Sequence, residues 1–223
     1  VLSLSKIESE KIELVFEDFN LKNELETIVN SLEVIANKYH NVILINFDLN
    51  VPQFIKSDKT RLSQIIMNLL SNALKFTKNG TINIYVYTNN NNTLNFEIID
   101  TGIGISYEFI DKIFDKFVQV DSNSDDQFQG TGLGLAIVKR FIEALSGNIQ
   151  IESEINKGTS VKFSIPLILG KETTETYLNN NINTLQNLNV LVVDDNKVNQ
   201  IVTQKLLEKN NLKCTIAVDV ITL

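Results

Sequence analysis

The sequence predicts an α/β protein, because segments with two different hydrophobic periods alternate along its 223 residues. Apolar side chains recur at helical spacing from Leu21 to Ala36 and again from 58 to 76. Residues 81–88 and 93–100 instead alternate apolar and polar side chains, as strands with one buried face do. The length is enough for one full domain and a fragment, or for two small domains.

The composition excludes several classes of protein. Hydrophobic residues make up 43% and charged residues 21%, which is ordinary for a globular domain. The net charge of −7 argues against a nucleic-acid surface, which needs a basic stripe. Cys214 and His40 are the only residues of their kinds, so we expect neither an intrachain disulfide nor a zinc site. No apolar run approaches a membrane span, and because Val1 is not a natural start, an upstream anchor stays open.

Caps and turns predict the elements of the first half. Residues 1–11 are expected to be the tail of a helix, and residues 12–19 a strand. After the helix that starts at Leu21, "NVILINF" is predicted to be a strand, and Ser57 or Asp58 to cap a helix that runs to about Phe76. Strands 81–88 and 93–100 should form a hairpin, because the "NNNN" between them tolerates left-handed turns.

The second half is predicted to continue with a helix at 107–114 and an acidic loop at 121–129. The next helix should span Leu133–Leu145, with Gly147 as its C-cap. Two strands, 148–153 and 160–167, are expected around a turn at Gly158. The segment that follows is polar and rich in Asn and Thr, as linkers are, before "NVLVVDD" begins a new strand.

The helix at 58–76 carries a polar stripe beside its apolar one. Five residues recur on it at helical spacing: Arg61, Gln64, Asn68, Asn72 and Lys75. Asn is unfavourable in a helix interior, yet it occurs twice on this face. The stripe is either a solvated face or a site whose amide oxygens meet a hard cation such as Mg²⁺, with Lys75 reaching an anion.

The strand at 93–100 ends in a carboxylate, Asp100, on its apolar face. That face also carries Leu94, Phe96 and Ile98. A buried charge is costly unless a donor meets it, and the "TGIGI" that follows allows close backbone approach at Gly102 and Gly104. Asp100 is therefore either a capping residue beside a turn or a carboxylate at a pocket floor that accepts a hydrogen bond from a ligand's amino group.

The stretch "QGTGLGLAIVKRF" places three glycines before a helix, as a dinucleotide-binding turn also does. A Rossmann turn requires G-x-G-x-x-G directly after a buried strand. Counting from Gly130 or from Gly132, the third glycine position holds Leu135 or Ile137, and the preceding residues are polar and acidic. The Rossmann interpretation fails on spacing and on context.

Four segments occur in order: "NLLSNALKF", "DTGIGIS", "IFDKFVQ" and "GTGLGLAIV". With them the sequence resembles the catalytic ATP-binding domain of sensor histidine kinases, over roughly residues 12–167. The resemblance implies a two-layer α/β sandwich, the Bergerat ATP-binding fold of the histidine kinase type, which gyrase-type ATPases share. It implies ATP as the ligand and Mg²⁺ as the cofactor.

The resemblance also implies roles for individual residues. Asp100 would accept from the adenine amino group above a turn formed by Gly102 and Gly104, Asn72 would bind Mg²⁺, and Lys75 would contact a phosphate. The lid at 121–129 would pack on Phe114 and Phe117, although these could be ordinary core aromatics. The phosphates would meet the start of the last long helix, at Gly130, Thr131, Gly132, Leu133 and Gly134, unless this is a glycine-rich helix start without a ligand.

Asn68 distinguishes two classes of enzyme within the resemblance. The related gyrase-type and chaperone ATPases carry a Glu at this position, four residues before the metal-binding Asn, to activate water. An amide cannot serve as that general base. The resemblance therefore favours a transferase, with Asn68 and Lys75 as catalytic residues, over a hydrolase.

The acceptor of the phosphate is expected elsewhere. The family phosphorylates a His followed by Glu and Pro on an upstream dimerisation domain, whereas His40 stands in "NKYHNVIL" and is interpreted as structural. Residues 1–11 resemble the end of the second dimerisation helix, so the acceptor His should precede residue 1. The chain should not autophosphorylate, but could donate inefficiently to a dimerisation domain supplied in trans.

After a linker at 168–187, residues 188–223 resemble the opening of a response-regulator receiver domain, a doubly wound α/β fold. Asp194 and Asp195 match the acids that help to bind Mg²⁺ in receivers, but the phosphorylatable Asp would lie beyond residue 223, and "DVIT" departs from the usual pattern. A strand–helix–strand piece cannot bury a five-stranded parallel core. This incomplete receiver fragment is therefore expected to be non-functional.

Together these observations predict the ATP-binding catalytic domain of a hybrid sensor histidine kinase, which passes phosphate to a His in two-component phosphorelay signalling. The alternative is a nucleotide-binding sensing or scaffolding module without phosphotransfer. The expected partners are ATP, a His-containing dimerisation domain and a receiver domain, with no nucleic acid. We expect the chain to be an intracellular monomer and its parent a homodimer, whose membrane attachment, signal and downstream partner stay open.

Overall fold

In the computed structural model, strands within residues 42–166 form a five-stranded mixed sheet. Its strands are β2 (Val42–Phe47), β4 (Thr81–Thr88), β5 (Thr93–Asp100), β6 (Asn148–Glu154) and β7 (Gly158–Pro166), in the order β2-β4-β5-β7-β6. β2 is parallel to β4, and the other neighbours are antiparallel. The predicted hairpin is confirmed, because Ile82 pairs with Asp100 and Thr88 with Leu94.

The structure describes residues 12–89, 92–115, 117–118, 132–172, 189–193, 200, 203–204, 207 and 212–217. The chain divides into two units, residues 1–173 and residues 174–223. The predicted helix tail at 1–11, the acidic loop at 121–129 and most of the predicted linker lie outside the described residues.

Three helices pack on one face of the sheet. They are α1 (Leu21–Lys38), α2 (Lys59–Phe76) and α4 (Gly134–Ala144), while α3 (Tyr107–Ile110) is a single turn. The predicted apolar stripe of α2 is buried, and seven of its side chains enter the core: Leu62, Ile65, Ile66, Leu69, Leu70, Ala73 and Leu74. From the sheet, Phe96 and Phe163 enter the same core with their rings stacked 4.6 Å apart. The predicted α/β sandwich is confirmed.

The helix ends are fixed by local hydrogen bonds. Of the two predicted caps of α2, Asp58 is the one used, and its carboxylate accepts from the Arg61 N–H at 2.8 Å. At the end of α4 the prediction was wrong, because Ser146 (φ +59°) and not Gly147 takes the left-handed position. The Gly147 N–H closes the motif on the Ile142 carbonyl at 2.8 Å. Gly147 is needed instead for close packing, since a Cβ there would lie 2.2 Å from the Ser164 carbonyl oxygen.

Two predicted elements are shorter than expected. β1 covers only Glu17–Asn20 and pairs with β3 (Phe54–Ser57), so the predicted strand at 12–19 was too long. The pairing stops at Ser57 because the next residue, Asp58, turns to cap α2. The predicted helix at 107–114 ends at Ile110, and the turns that follow rely mainly on bonds that span three residues, such as Lys112 N–H to the Phe109 carbonyl.

The segment after β7 returns to the small sheet. The Lys56 N–H donates to the Ile168 carbonyl at 2.9 Å and the Gly170 N–H to the Phe54 carbonyl at 3.1 Å, around a bridge between Ile55 and Leu169. Residues 168–170, assigned to the linker from the sequence, are thus bonded to β3 within the first unit.

The described part of the second unit contains two parallel strands, β8 (Asn189–Val193) and β9 (Lys213–Ala217). Between them, residues 200, 203–204 and 207 are helical. This order agrees with the strand–helix–strand expected from the sequence. Within the described residues, none of the helices has the length and apolar character needed to cross a membrane.

Candidate nucleotide-binding site

Asp100 ends β5 as a buried carboxylate with backbone donors. It is only 9% exposed, and its Oδ1 accepts from the Gly102 N–H at 2.8 Å. Burial raises the pKa of the Asp100 carboxyl, and hydrogen bonds from the backbone of Gly102 and Thr159 offset part of that rise. The Asp100 carboxylate therefore has hydrogen-bond partners within the protein. It can still accept a hydrogen bond from a further donor.

The glycine loop at 101–105 packs closely against its neighbours. The Ile103 N–H donates to the Phe76 carbonyl at the end of α2, at 3.2 Å. Gly104 has φ +70°, and a Cβ there would lie 2.0 Å from the Glu154 carbonyl oxygen. Gly102 is restricted by space alone, since a Cβ there would lie 2.4 Å from the Phe76 oxygen. The loop thus places Asp100 beside the C-terminal end of α2.

The polar stripe of α2 extends away from this loop. Asn68, Asn72 and Lys75 are all half-buried. The Asn68 Nδ2 donates to the Gln64 carbonyl at 2.9 Å, which leaves its Oδ1 free of that bond. Lys75 lies at the Asp100 end, with its ammonium 4.8 Å from the Phe76 ring centroid. A helix rises 1.5 Å per residue, so Asn68 and Lys75 are about 10 Å apart along the axis.

The start of α4 faces the Asn68 end of this stripe. A Cβ on Gly134 would lie 3.5 Å from the Asn68 Oδ1, so the first turn of α4 passes directly beside that oxygen. The N-cap residue of this helix, Leu133, makes no side-chain capping hydrogen bond. Uncapped N–H groups and the helix dipole make such an end suited to an anion. Gly130 and Thr131, predicted for the same site, lie outside the described residues.

The two phenylalanines of the predicted lid base differ from each other. Phe114 is half-buried, with the Lys139 ammonium 5.7 Å from its ring centroid. Phe117 has a 69% exposed side chain, and the lid at 121–129 that it was predicted to support lies outside the described residues. Phe117 contributes through its backbone instead, because its N–H donates to the Gly132 carbonyl at 2.9 Å while Gly132 holds φ +67°.

Sequence reasoning missed Thr159, which comes directly after the turn glycine Gly158. In the register of β5 and β7, Thr159 stands opposite Asp100 and bonds to its carboxylate through the backbone. The only signal was "GT" after a turn, and nothing in the sequence shows which residue pairs with Asp100. The receiver acids Asp194 and Asp195 lie outside the described residues, among which no group of three or more His, Cys, Asp or Glu side chains could hold a metal ion.

Comparison with known proteins identifies the class to which this arrangement belongs. Residues 57–169, just over half of the chain, match the family described as histidine kinase-, DNA gyrase B- and HSP90-like ATPases. The chain belongs to this family, and the matched part is an ATP-binding catalytic domain of the histidine kinase type.

The chain is similar to sensor kinases and to signal transduction histidine kinases. The autoinducer 2 sensor kinase/phosphatase LuxQ of Vibrio vulnificus is 36% identical over 94% of this chain, and hybrid signal transduction histidine kinase B of Dictyostelium discoideum is 35% identical over 78%. The chain spans only 25% and 9% of their respective lengths. The crystal structure of full-length ShkA in complex with AMPPNP covers 99% of this chain, at 25% identity and a TM-score of 0.69, and the chain covers 44% of it.

Proposed function

We propose that this chain binds Mg–ATP along α2 and donates the γ-phosphate to a histidine of a dimerisation domain. The observation that carries the proposal is the arrangement of α2. A buried carboxylate and its glycine loop lie at one end of the polar stripe, and the uncapped start of α4 lies at the other. This spacing suits a ligand with a hydrogen-bonding base at one end and an anion at the other.

The proposed orientation assigns a task to each residue. Asp100 accepts from the adenine amino group over Gly102 and Gly104, and the phosphates meet the N–H groups at Gly132–Gly134. Asn72 fits Mg²⁺, because amide oxygens are among the hard ligands that this ion accepts, and ATP phosphates would complete its shell. A magnesium ion held there would neutralise phosphate charge. Lys75 lies nearer the base end, so it would reach the phosphates only along its extended side chain.

Transfer is favoured over hydrolysis by the chemistry of Asn68. Its Nδ2 is bonded to the Gln64 carbonyl, so the oxygen is the atom it presents beside α4. An amide oxygen has no useful basicity and cannot activate water. Without a base at this position, the γ-phosphate would stay available to an external acceptor. His40, the only histidine of the chain, is exposed in the turn after α1 and lies outside this arrangement.

The parent protein is proposed to be a hybrid sensor kinase, and the similarity to LuxQ and to hybrid histidine kinase B supports this proposal. The proposal includes a homodimeric parent, a receiver domain that begins near β8, and ATP-dependent work on the cytoplasmic side. The second candidate function is a nucleotide-binding module without phosphotransfer. It differs from the first in one property, because the γ-phosphate would stay on the bound nucleotide.

The test is phosphotransfer from ATP labelled in its γ-phosphate to a separately supplied dimerisation domain that carries the acceptor histidine. We expect Mg²⁺-dependent, acid-labile label on that domain, lost when Asn72→Ala replaces the wild-type chain. Label that stays on ATP, despite measurable ATP binding, would support the binding module. Release of free phosphate without labelled protein would indicate a hydrolase.

A further inference from the structure

One hydroxyl group, that of Ser153 near the end of β6, connects the segments around Asp100. It accepts from the Ile105 N–H at 2.8 Å, donates to the Gly158 carbonyl at 2.9 Å and lies 2.9 Å from the Thr159 hydroxyl. Serine has a single hydroxyl proton, which goes to Gly158, so the Thr159 hydroxyl donates the third bond. Ser153 thus holds three partners with one oxygen.

Each of these partners adjoins the buried carboxylate. Ile105 closes the glycine loop that begins after Asp100. Gly158 packs under Asp100 itself, since a Cβ there would lie 1.9 Å from the Asp100 carbonyl oxygen. Thr159 stands opposite Asp100 in the sheet. The Asn156 N–H adds a 2.7 Å bond to the Ile103 carbonyl, so the β6–β7 turn and the glycine loop are joined at two points.

We propose that Ser153 is a positioning residue for nucleobase recognition, which fixes the glycine loop and Thr159 so that the Asp100 carboxylate faces the base. This inference rests on the proposed function and adds a residue that holds the base-reading carboxylate in place. Ser153 acts through Ile105, Gly158 and Thr159. Without its hydroxyl, three polar groups lose their common partner and the loop can move relative to Asp100.

Base discrimination is the property that separates this role from a structural one. Adenine presents an amino group where guanine presents a carbonyl oxygen, and a fixed carboxylate accepts from the first and repels the second. If the loop is less firmly held, the Asp100 carboxylate can move away from the base. ATP then loses the hydrogen bond from its amino group, and GTP is no longer repelled through its carbonyl oxygen. A residue that only stabilised the sheet would leave this ratio unchanged.

The experiment measures the affinities of the 223-residue chain for ATP, ADP and GTP by calorimetric titration, in wild type, Ser153→Ala and Ser153→Thr. We expect Ser153→Ala to lower the affinities for ATP and for ADP by the same factor, about tenfold, because both nucleotides contain adenine. The ratio of ATP to GTP affinity should fall by a similar factor. Ser153→Thr keeps the hydroxyl and should restore both.

Ser160 supplies the matched control. Its hydroxyl also makes a side-chain bond in this sheet, to Glu97 at 2.9 Å, but none to the residues around Asp100. Ser160→Ala should bind all three nucleotides like wild type. If Ser153→Ala does not fold, Ser153→Cys takes its place, because a thiol of similar size is only a weak hydrogen-bonding group.

Two results would overturn the inference. The first is a Ser153→Ala protein that has lowered thermal stability but binds ATP with wild-type affinity. The second is a Ser153→Ala protein whose affinities for ATP and GTP fall by the same factor. Both leave the proposed function standing, since the wild-type chain would still bind ATP. A wild-type chain that binds none of the three nucleotides would instead remove the proposed function and this inference together.

Discussion

Asp100 is the residue where function and stability oppose each other. Burial disfavours the charged carboxylate, which is why the pKa of Asp100 lies above its ordinary value of 3.8. Hydrogen bonds from the backbone of Gly102 and Thr159 reduce the free-energy cost of burying this charge but do not remove it. A Leu or Asn at this position would avoid the cost of burying a charge. The presence of a carboxylate therefore fits a role in binding a ligand that donates a hydrogen bond.

The raised pKa predicts a pH dependence of stability in the absence of nucleotide. The folded protein holds the Asp100 proton in a range where the unfolded chain has already released it. The resulting stabilisation is complete below pH 3.8 and is lost as the pH rises through the folded-state pKa. Asp100→Asn does not titrate there. We expect the unfolding free energy of wild type minus that of Asp100→Asn to fall as the pH rises above 3.8, as measured by urea unfolding.

The control for this measurement is Asp48→Asn, which changes an exposed aspartate in the turn after β2. The fall expected for Asp100→Asn is measured against this variant, which also removes one aspartate charge. A wild-type advantage that grows with pH at Asp100 would mean that the donors outweigh burial, contrary to the direction given above.

Asp58 predicts a second effect at this scale, on stability alone. Its two carboxylate oxygens accept from the Arg61 N–H at 2.8 Å and the Val15 N–H at 3.0 Å, so one buried side chain caps α2 and anchors the preceding segment. Asp58→Ala removes both bonds. We expect a loss of about 2 kcal/mol in unfolding free energy, from the cap and the orphaned donor. Asp48→Ala should cost about 0.5 kcal/mol or less, and equal losses would refute this assignment.

Sequence reasoning succeeded for single residues where local rules apply, and failed where a distant neighbour decides. The cap at Asp58 and the buried face of β5 follow from local spacing. Gly147 was assigned to the helix end by a local rule, but the carbonyl of Ser164 on β7 is what requires a glycine there. Thr159 and Ser153 gain their positions only from strand register, which one sequence does not reveal.

At the scale of elements, two glycines of the candidate site should respond oppositely to substitution. Gly104→Ala forces a side chain into a left-handed conformation and against the Glu154 carbonyl, so we expect a loss of about 3 kcal/mol in unfolding free energy. Gly134→Ala meets only the Asn68 oxygen at contact distance, 3.5 Å away. It should be neutral or stabilise α4 by up to about 1 kcal/mol. Denaturant unfolding of both variants provides the comparison.

The glycine loop would lose its proposed importance if Gly104→Ala were as stable as wild type. That outcome would mean that the loop can shift away from Glu154 at little cost. Gly134→Ala serves as the matched control, because it adds the same methyl group to the same site.

The helices and strands themselves were largely predictable, and their lengths were less so. Long periodic segments such as α2 and the β4–β5 hairpin were predicted with their observed bounds. β1 was predicted to be longer because alternation continues through residues 12–16. The structure ends it early, since β3 offers only four residues and Asp58 takes the Val15 N–H that a longer strand would have paired.

At the scale of the molecule, every described residue of the candidate site belongs to the first unit, residues 1–173. The site is assembled from separate parts of the chain: α2, the end of β5 with the loop after it, the start of α4, and Thr159 on β7. Four short motifs predicted this assembly, apart from Thr159, through a family resemblance. Periodicity alone could not, because it does not place the start of α4 beside Asn68.

The most direct test of the central claim is calorimetric titration of ATP, with and without Mg²⁺, into this chain and into Asp100→Ala. Asp48→Ala again serves as the control. We predict binding by wild type and the control that tightens with Mg²⁺, and a loss of at least about tenfold in affinity in Asp100→Ala. Binding that is indifferent to Asp100, or no binding by the wild-type chain, would contradict a nucleotide site built on this carboxylate.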